Sequence, residues 1–262
     1  MKYTAGFIGA GNMGSILAQA VYKTDKKLAI YDTDEKKVEN LLKSMKNAVF
    51  EQTNVLAKNC EFVFLAVKPD VVINVAKSIK NSISRDTVIV TMAAGVSLAD
   101  ISSAAGTENV IRIMPNTPAA VGEGMILYCT ARVSEEAEKK FLALMSKAGT
   151  TDKLEEKNFD AAAALSGCGP AFVYMFAKSL ADGAVACGVQ RKKAMFYAAQ
   201  TILGSAEMLL KSGKDPELLK DEVCSPGGTT IAGVLSLEEA AFRAAAADAV
   251  VASYERTLEL KK

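Results

Sequence analysis

The chain has no histidine among its 262 residues. That excludes Ser-His-Asp triads, imidazole-ligated metals and an imidazole general acid, so any chemistry must be carried by other groups. Cysteines are few: Cys60, Cys129, Cys168, Cys187 and Cys224 are odd in number, scattered, and free of C-x-x-C spacing. Neither a disulfide framework nor a zinc site follows from them, and no metal is expected. Such cysteine usage points to a reducing cytoplasm. Neither charge sign dominates, with Lys+Arg at 31 and Asp+Glu at 30. There is thus no basic surplus for nucleic acid, and no block of like charges reads as a tail. No run approaches the ~18 uninterrupted apolar residues that a membrane span needs. A strand-like run, 3–8, begins almost at once with no charged-then-apolar leader, so a cytoplasmic protein without membrane attachment is expected. Internal repeats and low-complexity linkers are also absent.

What is present is an ordinary globular composition, 50% hydrophobic and 23% charged, long enough for one large domain or two modest ones. Over residues 1–155, apolar runs at 3–8, 28–31, 62–67, 87–92 and 110–114 alternate with helical patterns at 13–23, 34–43, 71–80 and 98–104. Near-continuous apolar strands separated by helices predict a parallel sheet covered on both faces, an α/β doubly wound fold of Rossmann type. Over residues 156–262 strand-like alternation disappears. Ala- and Leu-rich segments at 159–165, 171–187, 192–211 and 231–260 predict an all-helical domain broken at Gly and Pro clusters. The segment 237–260 is apolar over much of its circumference, and such helices bury themselves in a bundle or against another subunit. A homodimer through the C-terminal helices is therefore expected.

Directly after the first strand comes Gly9-Ala10-Gly11-Asn12-Met13-Gly14, a G-x-G-x-x-G turn opening a helix, with a second strand following. In that context the glycines fit a dinucleotide site, supplying a tight turn, close approach to a pyrophosphate and helix–strand contact; the plainer reading is a Gly-rich turn without ligand. Asp32 ends the second strand, 18 residues beyond Gly14. It can accept hydrogen bonds from the adenosine ribose, or simply cap the next helix. A carboxylate there disfavours a 2′-phosphate, so NADH is favoured over NADPH, with Lys36 and Lys37 the available compensation. Ala66-Val67-Lys68-Pro69 and Ala93-Ala94-Gly95 end two further strands, where ligands bind in such sheets. Lys68 then lies beside the phosphates or the nicotinamide, or else is merely solvated.

Near the other end lies Cys224-Ser225-Pro226-Gly227-Gly228-Thr229-Thr230, a small-residue turn before a helical stretch. Consecutive N–H groups in such a turn form an anion nest, and a helix N-terminus adds partial positive charge. The same residues also suit an ordinary helix start, with Thr229 or Thr230 as N-cap.

With these pieces in place, the chain resembles the Δ1-pyrroline-5-carboxylate reductases over nearly its full length. The resemblance rests on the residues from Gly6 through Gly14, on Ala66-Val67-Lys68-Pro69, on Ala93-Ala94-Gly95-Val96 and on Met114-Pro115-Asn116-Thr117-Pro118. It continues in Leu165-Ser166-Gly167-Cys168-Gly169-Pro170-Ala171 and closes with Ser225-Pro226-Gly227-Gly228-Thr229-Thr230. Cys168 stands where the family usually has Ser.

The resemblance implies hydride transfer from NADH or NADPH to the C=N carbon of a pyrroline ring, yielding L-proline. The cofactor would be held by Gly9, Gly11, Asn12, Met13, Gly14, Asp32, Ala66, Val67, Lys68, Pro69, Ala93 and Gly95. The imino-acid carboxylate would sit on backbone N–H groups around Gly228–Thr230 and on the Ser225 and Thr229 side chains, with Gly227 also a substrate-binding residue of the loop. Thr230 Oγ would bond the ring nitrogen as the catalytic residue. The resemblance also implies intertwined C-terminal domains, the loop of one subunit meeting its partner's cofactor, and dimers that can assemble into larger rings. Two alternatives stay open. A β-hydroxyacid dehydrogenase relative would need a helical Lys, for which Lys178 is the candidate. A dinucleotide-binding regulatory protein would keep the fold without turnover.

Overall fold

The computed structural model describes residues 1–259; the expected helical stretch 231–260 therefore ends one residue beyond the described chain. Chain order begins β1 (Tyr3–Ile8), α1 (Asn12–Tyr22), β2 (Leu28–Tyr31), α2 (Glu35–Leu42), β3 (Ala48–Phe50), α3 (Thr53–Asn59) and β4 (Cys60–Leu65). It continues with α4 (Pro69–Ile79), β5 (Val88–Thr91), α5 (Leu98–Ala105), β6 (Val110–Met114), a 3-10 turn (Thr117–Val121), β7 (Gly124–Thr130), α6 (Glu135–Met145) and β8 (Gly149–Lys153). Helices α7 (Glu156–Ala186), α8 (Arg191–Ser212), α9 (Pro216–Glu222), α10 (Thr229–Glu239) and α11 (Phe242–Glu259) complete it.

The eight strands form one sheet in the order β3-β2-β1-β4-β5-β6-β7-β8. Strands β1 to β6 run parallel in the doubly wound Rossmann order, and the chain reverses once, at the antiparallel β6–β7 pair. Strand β8 then pairs parallel with β7. The expected sheet was wholly parallel, and β3, β7 and β8 were not anticipated. The reversal follows from a short connection: only Pro115 to Glu123 separate β6 from β7, too few for the crossover that a parallel pair needs.

Apolar layers lie on both faces of the sheet. Phe7 and Phe64 stack at 4.4 Å between centroids on one face, with Leu17, Val21 and Phe141. Val63, Leu65, Val72, Ile79 and Ile101 fill the other.

The chain divides into two compact units, Met1–Cys168 with the described chain from Ser253, and Gly169–Ala252. The division falls inside α7, not at the change of texture near residue 155. The start of α7 belongs to the sheet unit because a buried Arg112 on β6 reaches it. Its guanidinium bonds Asp160 at 2.5 Å and Glu156 at 3.3 Å, and lies 4.4 Å from the centre of the Phe159 ring. Glu156 also accepts the Leu98 N–H at 2.7 Å, tying in α5. A lone charge inside the apolar run 110–114 was the sequence signal for this anchor.

Helix α7 also corrects an expectation: residues 159–165 and 171–187 are not separate helices, since Pro170 lies inside one helix. In the second unit many large apolar side chains face outward, among them Tyr174, Met175, Phe196 and Leu210, the last 86% exposed. Helix α7 is also long and apolar enough, by length and composition alone, to cross a membrane.

Candidate active site

The first unit gathers its expected site residues at the carboxyl ends of β1, β2, β4 and β5. Gly9 has φ +109°, a region that favours glycine, and a methyl group there would lie 2.4 Å from the Ala66 carbonyl oxygen. The turn is thus pressed against the chain leaving β4, where the Ala66 N–H donates to the Ile8 carbonyl at 2.8 Å. Gly14 is equally tight, its missing methyl falling 2.3 Å from the Gly9 oxygen. Gly11 is different: nothing lies within 4 Å of where its Cβ would be. Gly11 is also the N-cap of α1, with no side chain capping the helix and no acidic residue in its first turn. Its first amides, from Asn12, Met13 and Gly14, therefore remain available to an anion. A nucleotide pyrophosphate fits that open side.

Asp32 is engaged from both sides. One carboxylate oxygen accepts the Ala10 N–H at 2.7 Å, the other the Asp34 N–H at 2.9 Å. The cap of α2 is Asp34, so Asp32 does not cap that helix. It straps the glycine turn to the end of β2, and each oxygen keeps acceptor capacity for a further donor. Lys37 lies 3.7 Å from Asp34.

Lys68 is exposed and occupies the N-cap position of α4, ahead of Pro69. Ala93 is buried, and Gly95 begins the chain into α5. A cavity of about 770 Å³ opens between α4 and α5, lined by Pro69, Ile73, Lys77, Gly95 and Val96.

The second unit carries Ser225, Gly227, Gly228, Thr229 and Thr230 in a single loop. The Gly228 N–H donates to the Ser225 carbonyl at 2.9 Å, with Pro226 and Gly227 between them. Gly227 has φ +65°. Pro followed by a residue of positive φ makes this a type II turn. The turn delivers Gly228 as the N-cap of α10, with no side-chain cap. Neither Thr229 nor Thr230 is the cap, then; both lie in the first helical turn, exposed, their amides uncapped. The turn and the helix start are here one structure.

The helices flanking this loop are tied together. Arg243 grips Glu217 with both terminal nitrogens, at 2.7 and 3.3 Å, and Glu238 through Nε at 2.6 Å. Arg243 first, and Lys220 second, hold the Glu217 carboxyl down to about 2. Lys178, by contrast, bonds Asp182 at 2.5 and 2.6 Å, and Arg191 joins the same carboxylate. It is a paired surface cation, which weighs against the dehydrogenase alternative.

Residues 156–260 match the family model described as pyrroline-5-carboxylate reductase dimerisation. Residues 4–95 match one described as NADP oxidoreductase, coenzyme F420-dependent. The chain is 38% identical over 266 residues to the pyrroline-5-carboxylate reductase of Arabidopsis thaliana, with 100% of this chain and 96% of that one covered. It belongs to the pyrroline-5-carboxylate reductase family. The pyrroline-5-carboxylate reductase of Escherichia coli strain K12 is 37% identical over 268 residues, all of both chains. A crystal structure of the Plasmodium falciparum pyrroline carboxylate reductase with NADP bound superposes with a TM-score of 0.89 at 34% identity, covering 100% of each chain. The apolar exterior of the second unit lies within the residues matched by the reductase dimerisation model. Within the reductase motifs, Cys168 is an exposed free thiol on α7.

Proposed function

We propose that this protein is a pyrroline-5-carboxylate reductase, an oxidoreductase that reduces the C=N bond of 1-pyrroline-5-carboxylate to give L-proline, the last step of proline biosynthesis. The observation that carries the reading is the full-length match to named reductases, joined to a glycine turn with one open side. Bound NADH or NADPH supplies the hydride. Gly9, Gly11, Asn12, Met13 and Gly14 would hold its pyrophosphate, Asp32 its adenosine ribose, and the segments Ala66 to Pro69 and Ala93 to Gly95 the remainder. The nest at Gly228, Thr229 and Thr230, with the Ser225 and Thr229 hydroxyls, would bind the substrate carboxylate. Thr230 Oγ would orient the ring nitrogen.

A chain without histidine suits this reaction. A protonated cyclic imine is already electrophilic, so positioning matters more than a strong acid, and proximity alone can contribute about 7–11 kcal/mol at its best. The test is oxidation of NADH or NADPH in the presence of pyrroline-5-carboxylate; no oxidation by the folded protein rejects the reading. Thr230→Ala should lower kcat/KM about tenfold or more, the loss of one oriented hydrogen bond. An unchanged value removes Thr230 from the site.

NADH is proposed as the better cofactor. Asp32, Asp34 and Glu35 cluster after β2, and Lys37 is already paired with Asp34, which leaves Lys36 as the nearby cation to offset a 2′-phosphate. A higher kcat/KM with NADPH would reverse this. The protein is further proposed to act in the cytoplasm, as a homodimer through its C-terminal helices, with dimers able to form a larger ring. A monomer in light scattering at micromolar concentration would contradict the assembly.

A further inference from the structure

The turn from Ser225 to Thr230 joins two helices that apolar packing within the chain holds only loosely. Among the described residues, α9, α10 and α11 contain none that is buried. A cavity of about 280 Å³ lies between these helices, lined by Lys220, Val234, Leu237, Glu238, Phe242 and Arg243. The spacing of α9 and α10 therefore needs another source.

Arg243 supplies it. Its two terminal nitrogens donate to the two oxygens of Glu217, at 2.7 and 3.3 Å, and Nε donates to Glu238 at 2.6 Å. Glu217 stands at the start of α9 and Glu238 near the end of α10, so one guanidinium joins the ends of both helices that lie away from the turn. Lys220 adds a bond to Glu217 at 2.6 Å. Exposed ion pairs usually contribute little. A fork on a carboxylate, extended into a network, is the exception, because the planar group fixes direction as well as charge.

Arg243 is itself held in place. The ring of Phe242, the residue before it, lies 5.4 Å from that of Phe176 on α7. Ala241, at the corner between α10 and α11, has φ +53°, in the region that favours glycine. Such a conformation persists only where its surroundings over-determine it. We infer that Arg243 is a positioning residue for the reaction: by clasping Glu217 to Glu238 it sets the spacing of α9 and α10, and with it the geometry of the amides and hydroxyls from Ser225 to Thr230 that would receive the substrate carboxylate. This rests on the reading of the chain as a pyrroline-5-carboxylate reductase.

Steady-state kinetics on the full chain test it. Arg243→Gln should raise KM for pyrroline-5-carboxylate about tenfold and leave kcat and KM for NADH within about twofold. Glu217→Gln should give the same rise, and the double variant little more, since each change opens the same clasp. Lys211→Gln, which removes an exposed pair with Glu207 on α8, should change nothing. A merely structural role predicts a lower kcat and melting temperature at unchanged KM. That pattern, or additive effects in the double variant, overturns the inference. Should Arg243→Gln fail to fold, Arg243→Lys carries the test: it keeps the charge and loses the fork, so KM should still rise several-fold, and a parent-like KM overturns the role. Hydrogen exchange probes the clasp apart from turnover. Amides of α9 and α10 should exchange about tenfold faster in Arg243→Gln while those of α8 hold, and unchanged exchange also overturns it. If the unmutated protein leaves pyrroline-5-carboxylate unreduced, the reductase reading fails and the positioning role falls with it; an active enzyme whose variants keep the parent KM overturns the positioning role alone.

Discussion

Gly11 and Gly14 sit in one turn of chain, yet a methyl group would meet open space at the first and a carbonyl oxygen 2.3 Å away at the second. Gly14→Ala should therefore push α1 off β1 and lower the melting temperature. Gly11→Ala should leave the melting temperature unchanged and weaken NADH binding, since the methyl enters only the open space proposed for the pyrophosphate. Calorimetry and nucleotide titration on the two variants separate these outcomes. Asp32 shows the same economy: one carboxylate fastens the Ala10 and Asp34 amides and keeps lone pairs for a ribose. Its position at the end of β2 was legible in the sequence. Its strap to Ala10 was not, because a contact 22 residues away leaves no local pattern.

At the scale of elements, the Arg112 anchor joins β6 to the start of α7 from inside the core. Asp160→Ala would leave a buried guanidinium short of a partner, and breaking such a pair costs about 3–5 kcal/mol. Denaturant unfolding should show that loss, while a conservative change at exposed Lys140, whose partners are Glu61 and Glu136, should cost little. Five of the strands could be read from their apolar runs. Strand β7 went unread although its run from Met125 to Cys129 is apolar, and β8 could not be read: it is Gly-Thr-Thr-Asp-Lys, with no apolar side chain, and is a strand only because β7 supplies its hydrogen bonds. Pro170 misled in the opposite sense. A helix breaker by propensity, it is tolerated because Asn116, 50 residues before Ser166, satisfies the carbonyl that it strands. The loop from Ser225 to Thr230 was legible as a turn before a helix, and what the sequence left open was the cap, which only the backbone angles assign to Gly228.

For the whole molecule, two buried thiols set an upper limit in pH. Burial pushes both Cys60 and Cys129 up to about 12, from an ordinary 9.0. Below pH 9 both states keep these protons and the stabilisation is fully present. Between 9 and 12 the unfolded chain releases them while the folded one does not, so stability should fall as pH rises. Urea midpoints measured from pH 8 to 11 should decline, and Cys60→Ala with Cys129→Ala should flatten part of that slope; an unchanged slope would place its origin elsewhere. The sheet has a consequence of another kind. One of its outer strands, β3, has only three residues, and the other, β8, ends in Asp152 and Lys153. Short or charged borders of this sort resist strand-to-strand recruitment. A lone chain thus offers neighbours the apolar sides of helices and no inviting strand, so overcrowding during synthesis should yield helical, reversible clusters and not amyloid.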